Sequence, residues 1–163
     1  MDPTPVYRAP MRSRRDDVDW GAAVEWALVS GVCGVGGVLS REPRSWDDAL
    51  LLLAGEHGPR VARRVQRFAA VPDGAFVWTR TADDLLLLGR VHGQWRYDGT
   101  PLARSLDLVH VRPCRWRADP VAPEAAPPAV RRTFARGGRN VQQVHDARVG
   151  EQSARLWEAA ASG

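Results

Sequence analysis

Aromatic rings and guanidinium groups are the side chains of this sequence with chemistry to offer. The segment DGAFVWTRTADDLLLLGRVHGQWRYD, from Asp73 to Asp98, carries Trp78, Trp95 and Tyr97. Such rings either fill a core or give a flat ligand a surface on which to stack. All 23 basic residues are arginine, and the formal net charge is +4. Arginine grips phosphate as a two-pronged fork and its plane stacks on bases, so nucleic acid is a natural partner for such a composition. A third feature is SGVCGVGGVL, in which Gly31, Gly34, Gly36 and Gly37 strip side chains from a strand-like segment. That pattern accompanies a bulge or the close approach of another backbone or a ligand.

Catalysis has no support in the sequence. GVCGVGG lacks the spacing of a dinucleotide loop and no Lys-Ser or Lys-Thr follows it. A nucleophile elbow, a zincin helix and paired carboxylates are also missing. Cys33 and Cys114 belong to no CxxC, and His57, His92, His110 and His145 show no ligand spacing, so neither a metal nor a cofactor is expected. Two isolated cysteines suit a reducing compartment. The opening MDPTPVYRAPMRSRRDD holds prolines and charges without an apolar run, and no later segment has membrane-spanning length, which makes the cytoplasm the expected location.

These residues must be positioned by a mixed set of elements. Met1 to Asp16 reads as a flexible arm bearing Arg12, Arg14 and Arg15. Trp20, Ala23, Val24, Ala27 and Leu28 recur at helical spacing between Asp17 and Val29, ahead of the glycine-rich strand. Ser45 caps one helix, and Pro59 begins another whose apolar stripe includes Val61, Val65 and Phe68. Its other side carries Arg60, Arg63, Arg64 and Arg67, a row that most often faces solvent. Ala75 to Arg80 alternates as a strand, Asp83-Asp84 turns, and Leu85 to Val91 is a continuous apolar run suited to burial on both faces. Leu106 to Arg112 alternates again and can continue past Pro113 to Arg117. A proline-rich stretch from Ala118 to Pro128 leads to a short helix ending before Gly137-Gly138. Asn140, with Gln143 at the capping-box position, then opens a last helix toward Trp157.

The order of these features resembles the PUA-like superfamily, in particular YTH and EVE domains and the recognition domains of modification-dependent restriction systems. The residues that carry the resemblance are Asp73-Gly74, Gly89-Arg90-Val91, Trp95-Arg96-Tyr97-Asp98 and His110-Val111-Arg112-Pro113-Cys114-Arg115-Trp116, within a match spanning about Trp20 to Asp146. The resemblance implies an α+β fold, a small bent PUA-like sheet or barrel wrapped by helices. It spans 17–146, flanked by the arm 1–16 and a packed helix 147–163. It also implies a cage of aromatic side chains that takes in one modified base. Trp78, Trp95, Tyr97, Cys33 and Gly34 would form that cage. Here Cys33 is flanked by glycine where YTH domains place a cage tryptophan before a Cys-Ser pair, so Trp26, Trp78 or Trp95 would have to supply that wall. Arg80, Arg96, Arg136 and Arg139 would hold the flanking phosphates.

The function implied is that of a non-catalytic reader of modified nucleic acid. DNA is preferred over RNA because the nearest resemblance is to restriction-associated members, which also suggests a separate effector protein. A reader of modified RNA, a protein-interaction module on the same scaffold and an enzyme acting on a nucleotide are the alternatives.

Overall fold

The computed structural model describes residues 3–161, so the parts of the arm and last helix assigned to residues 1, 2, 162 and 163 lie outside it. Among the described residues, seven strands and six helices are interspersed along the chain. The strands are β1 (Val6–Arg8), β2 (Val32–Val35), β3 (Phe76–Arg80), β4 (Leu86–Val91), β5 (Arg96–Tyr97), β6 (His110–Trp116) and β7 (Gln142–Gln143). They form one sheet in the order β2-β6-β4-β3-β1-β7, with β5 pairing β6 beside that path. The helices are α1 (Trp20–Ser30), α2 (Trp46–His57), α3 (Pro59–Ala69), α4 (Pro101–Ser105), α5 (Pro128–Ala135) and α6 (Val149–Ala161). The expected α+β architecture of a small bent sheet wrapped by helices is the one observed.

The bend originates in β6. Its first half, His110 to Pro113, pairs with β2, and its second half, Cys114 to Trp116, pairs with β4. One strand thereby serves two halves of the sheet. Arg112, 2% exposed, stands at the change of partners. Its Nε donates to the Gly93 carbonyl at 3.0 Å, its Nη1 to the carbonyls of Phe68 and Val71 at the end of α3, and its Nη2 to Asp73 at 2.7 Å. A buried guanidinium is tolerable because its donors are used, and here those donors lock α3 onto the bend.

The helix starts follow from local chemistry. The Asp19 carboxylate accepts from the Ala22 N–H at 3.1 Å, and Ser45 Oγ accepts from the Asp48 N–H at 3.1 Å. Each takes up an N–H that has no partner within its helix.

Two elements depart from the sequence reading. The segment read as a free arm supplies β1, which lies parallel to β3 with Val6 opposite Phe76 and Arg8 opposite Trp78. Val6, Ala9 and Met11 are buried. Parallel pairing with a distant strand leaves no trace in local periodicity, and the prolines at positions 3, 5 and 10 made the segment look like a coil. Asn140 and Gln143 do not cap a helix either. Gln142 and Gln143 form β7 against β1, and α6 begins only at Val149.

Trp78 is the largest fully buried side chain. It packs with Phe76, Leu88 and Val130, and its Nε1–H donates to Ser153 Oγ at 3.1 Å, joining β3 to α6. Trp78→Ala is expected to cost about 3 to 5 kcal/mol through lost apolar burial and the cavity left behind. Urea denaturation monitored by far-UV circular dichroism checks this; a loss below about 1 kcal/mol would mean that Trp78 is not part of the core.

Candidate functional site: an arginine-rimmed cavity

A cavity of about 330 Å³ opens where the β1–α1 loop, the end of β2, helix α3 and the approach to β7 converge. That volume is at the small end of ligand pockets. The loop contributes Arg12, Ser13, Arg14 and Arg15, helix α3 contributes Arg64 and Arg67, and Arg139 comes from the segment before β7. Six arginines thus surround a wall of five valines, Val35, Val38, Val61, Val65 and Val141. The cavity carries one carboxylate, that of Asp107.

The positive charge is only partly compensated. Arg15 pairs with Asp17 at 2.7 Å and Arg139 with Asp16 at 3.6 Å. Arg14 donates to the side-chain oxygen of Asn140 at 3.2 Å, and the Arg12 guanidinium lies over the Trp20 ring at 5.0 Å. Partial burial, followed by repulsion from Arg14, Arg60 and Arg67, holds Arg64 below its ordinary pKa. It remains charged, since an arginine starts far above neutrality. Like charges gathered on a concave surface form a field suited to a polyanion.

The cavity floor is the glycine pair that follows β2. A Cβ on Gly36 would come within 2.6 Å of the Asp107 carboxylate. Gly37 has φ +124°, and a Cβ there would stand 3.0 Å from Leu53 and 3.1 Å from His110. Both positions therefore require glycine. The Gly37 peptide is held at both ends: its N–H donates to Asp107 Oδ1 at 3.0 Å, and its carbonyl lies 2.8 Å from His110 Nε2. Trp95 Nε1, which can only donate, lies 3.1 Å from His110 Nδ1. Nδ1 must then accept, so Nε2 carries the proton and donates to Gly37.

This places the aromatic residues expected to form a cage. Trp95 and Tyr97 stand behind the floor, where Trp95 orients His110 and the Tyr97 ring packs against that imidazole at 5.4 Å. The Tyr97 hydroxyl accepts from the Leu39 N–H at 3.0 Å. Trp95 also meets Trp46 edge-on with centroids 4.7 Å apart, which leaves no base-thick gap between the two rings. Trp78 is a core residue, Trp26 packs between two core clusters, and Cys33 and Gly34 are buried in β2. Burial pushes the Cys33 thiol up to about 12, so it packs as a neutral group. None of these six residues lines the cavity.

Among the arginines expected at phosphates, Arg139 lines the cavity. Arg80 lies over the Phe134 ring at 5.5 Å, in a neighbouring cleft of about 30 Å³ that shares Arg12 with the main cavity. Arg96, 3.9 Å from Asp98, and Arg136 line neither. Read from sequence, Asp107 has no assigned role, Asn140 is a helix cap and the arginine row of α3 most often faces solvent, so none of these was expected at the site. Among the described residues no cluster of three or more metal-ligating side chains is present, and no helix is long and apolar enough to cross a membrane.

No protein-family model and no curated protein matches this chain. Solved structures do. The chain is similar over 98% of its length to 90% of the YTH domain of the Zygosaccharomyces rouxii MRB1 protein, which was solved in complex with N6-methyladenosine RNA (12% identity, TM-score 0.44). It is also similar over 93% of its length to 92% of protein Atu2648 from Agrobacterium tumefaciens (14% identity, TM-score 0.41). These are likenesses of fold, and they assign no role to any residue of this chain.

The His110 geometry has a consequence for stability. Burial pushes its pKa down to about 4 from an ordinary 6.5, and a proton on Nδ1 would face the Trp95 N–H. The folded state therefore binds this proton less readily than the unfolded state. The His110 contribution is fully present above about pH 6.5 and is lost as pH falls toward 4, by an amount on the order of 3 kcal/mol. Urea midpoints between pH 7 and 4 should fall steeply in the wild type and less steeply in His110→Gln; equal slopes would show that His110 is not buried as a neutral imidazole.

Proposed function

We propose that this chain is a non-catalytic nucleic-acid-binding domain that takes one extruded, modified base into the arginine-rimmed cavity. The observation that carries this reading is the convergence of six arginines from three separate segments around one valine-walled recess. Guanidinium groups at the rim suit the phosphates on either side of the extruded nucleotide. The valines suit the face of a base and an added methyl group, whose burial contributes about 0.8 kcal/mol. That is too little to discriminate alone, so polar groups on the floor must add to it.

Extrusion costs a few kcal/mol, least for a base that is already unpaired. Stacking normally offsets part of that cost, and arginine planes can serve as well as aromatic rings. The cleft that shares Arg12 extends the positive surface past Trp20 toward Arg80 and Phe134, which offers the strand a path out of the cavity. Trp95 and Tyr97 would then act on the base indirectly, by fixing the floor. Guanidinium groups and valines treat deoxyribose and ribose phosphates alike, so this chemistry accepts DNA and RNA.

Binding should be strongly salt-dependent and should require the α3 arginines. Fluorescence anisotropy with single-stranded DNA and RNA, each with and without a methylated base, is the test. Arg64→Ala with Arg67→Ala should weaken binding at least tenfold and flatten the logarithmic salt dependence by about one unit for each lost phosphate contact. Methylated oligonucleotides should bind more tightly than plain ones. Binding that ignores salt would argue against a polyanion, and binding that ignores the modification would leave a general nucleic-acid-binding domain.

A further inference from the structure

We propose that Asp107 selects the base, its carboxylate accepting the two adjacent N–H donors of a guanine-type Watson–Crick edge. The inference rests on the reading that the cavity holds a base, and it names which base.

Asp107 is only 8% exposed, and it is the one carboxylate in a cavity that six arginines line. A carboxylate placed there to neutralise charge would pair with one of them. Among the described residues it forms no ion pair. It is held by neutral donors instead: Oδ2 accepts from Ser13 Oγ at 2.5 Å and Oδ1 accepts from the Gly37 N–H at 3.0 Å. A carboxylate offers about four acceptor positions, so each oxygen keeps one for a ligand.

The surroundings are built to hold this group in place. Asp107 has φ +48°, a left-handed conformation that a side-chain-bearing residue rarely adopts. It occupies the turn between α4 and β6, and Gly36 leaves the space that the carboxylate fills. Ser13 ties it to the loop bearing Arg12, Arg14 and Arg15, and Gly37 ties it to the floor.

A fixed pair of acceptor oxygens fits two parallel N–H donors, as in the fork seen when a guanidinium meets a carboxylate. Guanine presents such a pair, its ring N–H beside its exocyclic amine. Adenine and cytosine present one amine next to a ring nitrogen that accepts, and that nitrogen would face a carboxylate lone pair. Thymine and uracil present one N–H between two carbonyls. A modification on another edge of the ring would leave the guanine pair free and meet the valine wall.

The test uses the full chain and single-stranded oligonucleotides that differ only in one central base: guanine, hypoxanthine, adenine or cytosine. Guanine should bind about tenfold to a hundredfold more tightly than adenine, as expected for a two-bond contact. Hypoxanthine, which keeps the ring N–H and lacks the amine, should fall between them. Asp107→Asn preserves volume, keeps an acceptor for Gly37 and presents an amide to Ser13 Oγ, and it should bring the guanine-to-adenine ratio close to one. Wild-type binding that is equal across the four bases would overturn the role of Asp107 while leaving the cavity reading intact. No binding of any oligonucleotide would overturn both. Asp107→Asn that melts like the wild type and keeps the guanine preference would show that the carboxylate only braces the loop. The wild-type base series decides the matter should that variant fail to fold.

Discussion

Three residue pairs between β1 and β3 decide whether this molecule has a cavity at all. Val6 to Arg8 lie parallel to Phe76 to Trp78, and the Ala9 N–H continues the ladder to the Trp78 carbonyl at 2.8 Å. The pairing turns an otherwise featureless terminal segment into the inner neighbour of a core strand. Everything between Pro10 and Asp19 is placed by that anchor, with buried Met11 turning the chain and Ser13 reaching Asp107. Arg12, Arg14 and Arg15, though solvent-exposed, consequently stand at the mouth of the same cavity as Arg64 and Arg67 of α3. Bringing these charges together opposes folding, and burial of Val6, Ala9 and Met11 offsets that repulsion. A surface that keeps such a concentration of one sign is suited to a ligand of the other.

The second constraint is the Gly37 peptide, through which the two halves of the site communicate. Asp107 holds its N–H and His110 its carbonyl, while Trp95 fixes the tautomer of His110. Three side chains, only one of which lines the cavity, therefore set the position of a floor that carries no side chain. The reach of Arg112 across the bend performs the same service for α3, tying the end of the helix to β6 and the Gly93 turn. Rim and floor are thus set in part by interactions located outside the cavity.

Much of this was legible in the residues. The alternation of Ala75 to Arg80, the apolar run to Val91 and the capping of α2 by Ser45 gave the central strands and the helices beside the site. The glycines after β2 marked a place of close approach, and the floor lies there. The arginine row of α3 was visible as a row, but its direction depends on which surface the helix packs against, which is a tertiary fact. Trp78 could not be told from a cage residue, because a strand buried on both faces gives its rings no polar alternation to betray them. Asp107 left no signal: its importance comes from Ser13 and Gly37, far away in sequence, and a single aspartate between a short helix and a strand resembles any turn residue.

The central claim is that nucleic acid enters the cavity between the β1–α1 loop and α3. Titration of isotopically labelled protein with a single-stranded oligonucleotide, followed through backbone amide shifts, tests it most directly. The account predicts perturbations concentrated at Gly36, Gly37, Val38 and Asn140, at residues 12–15, and at Arg64 and Arg67. Perturbations confined instead to Trp46, Trp95 and their neighbours, with Gly36 and Gly37 unmoved, would contradict it.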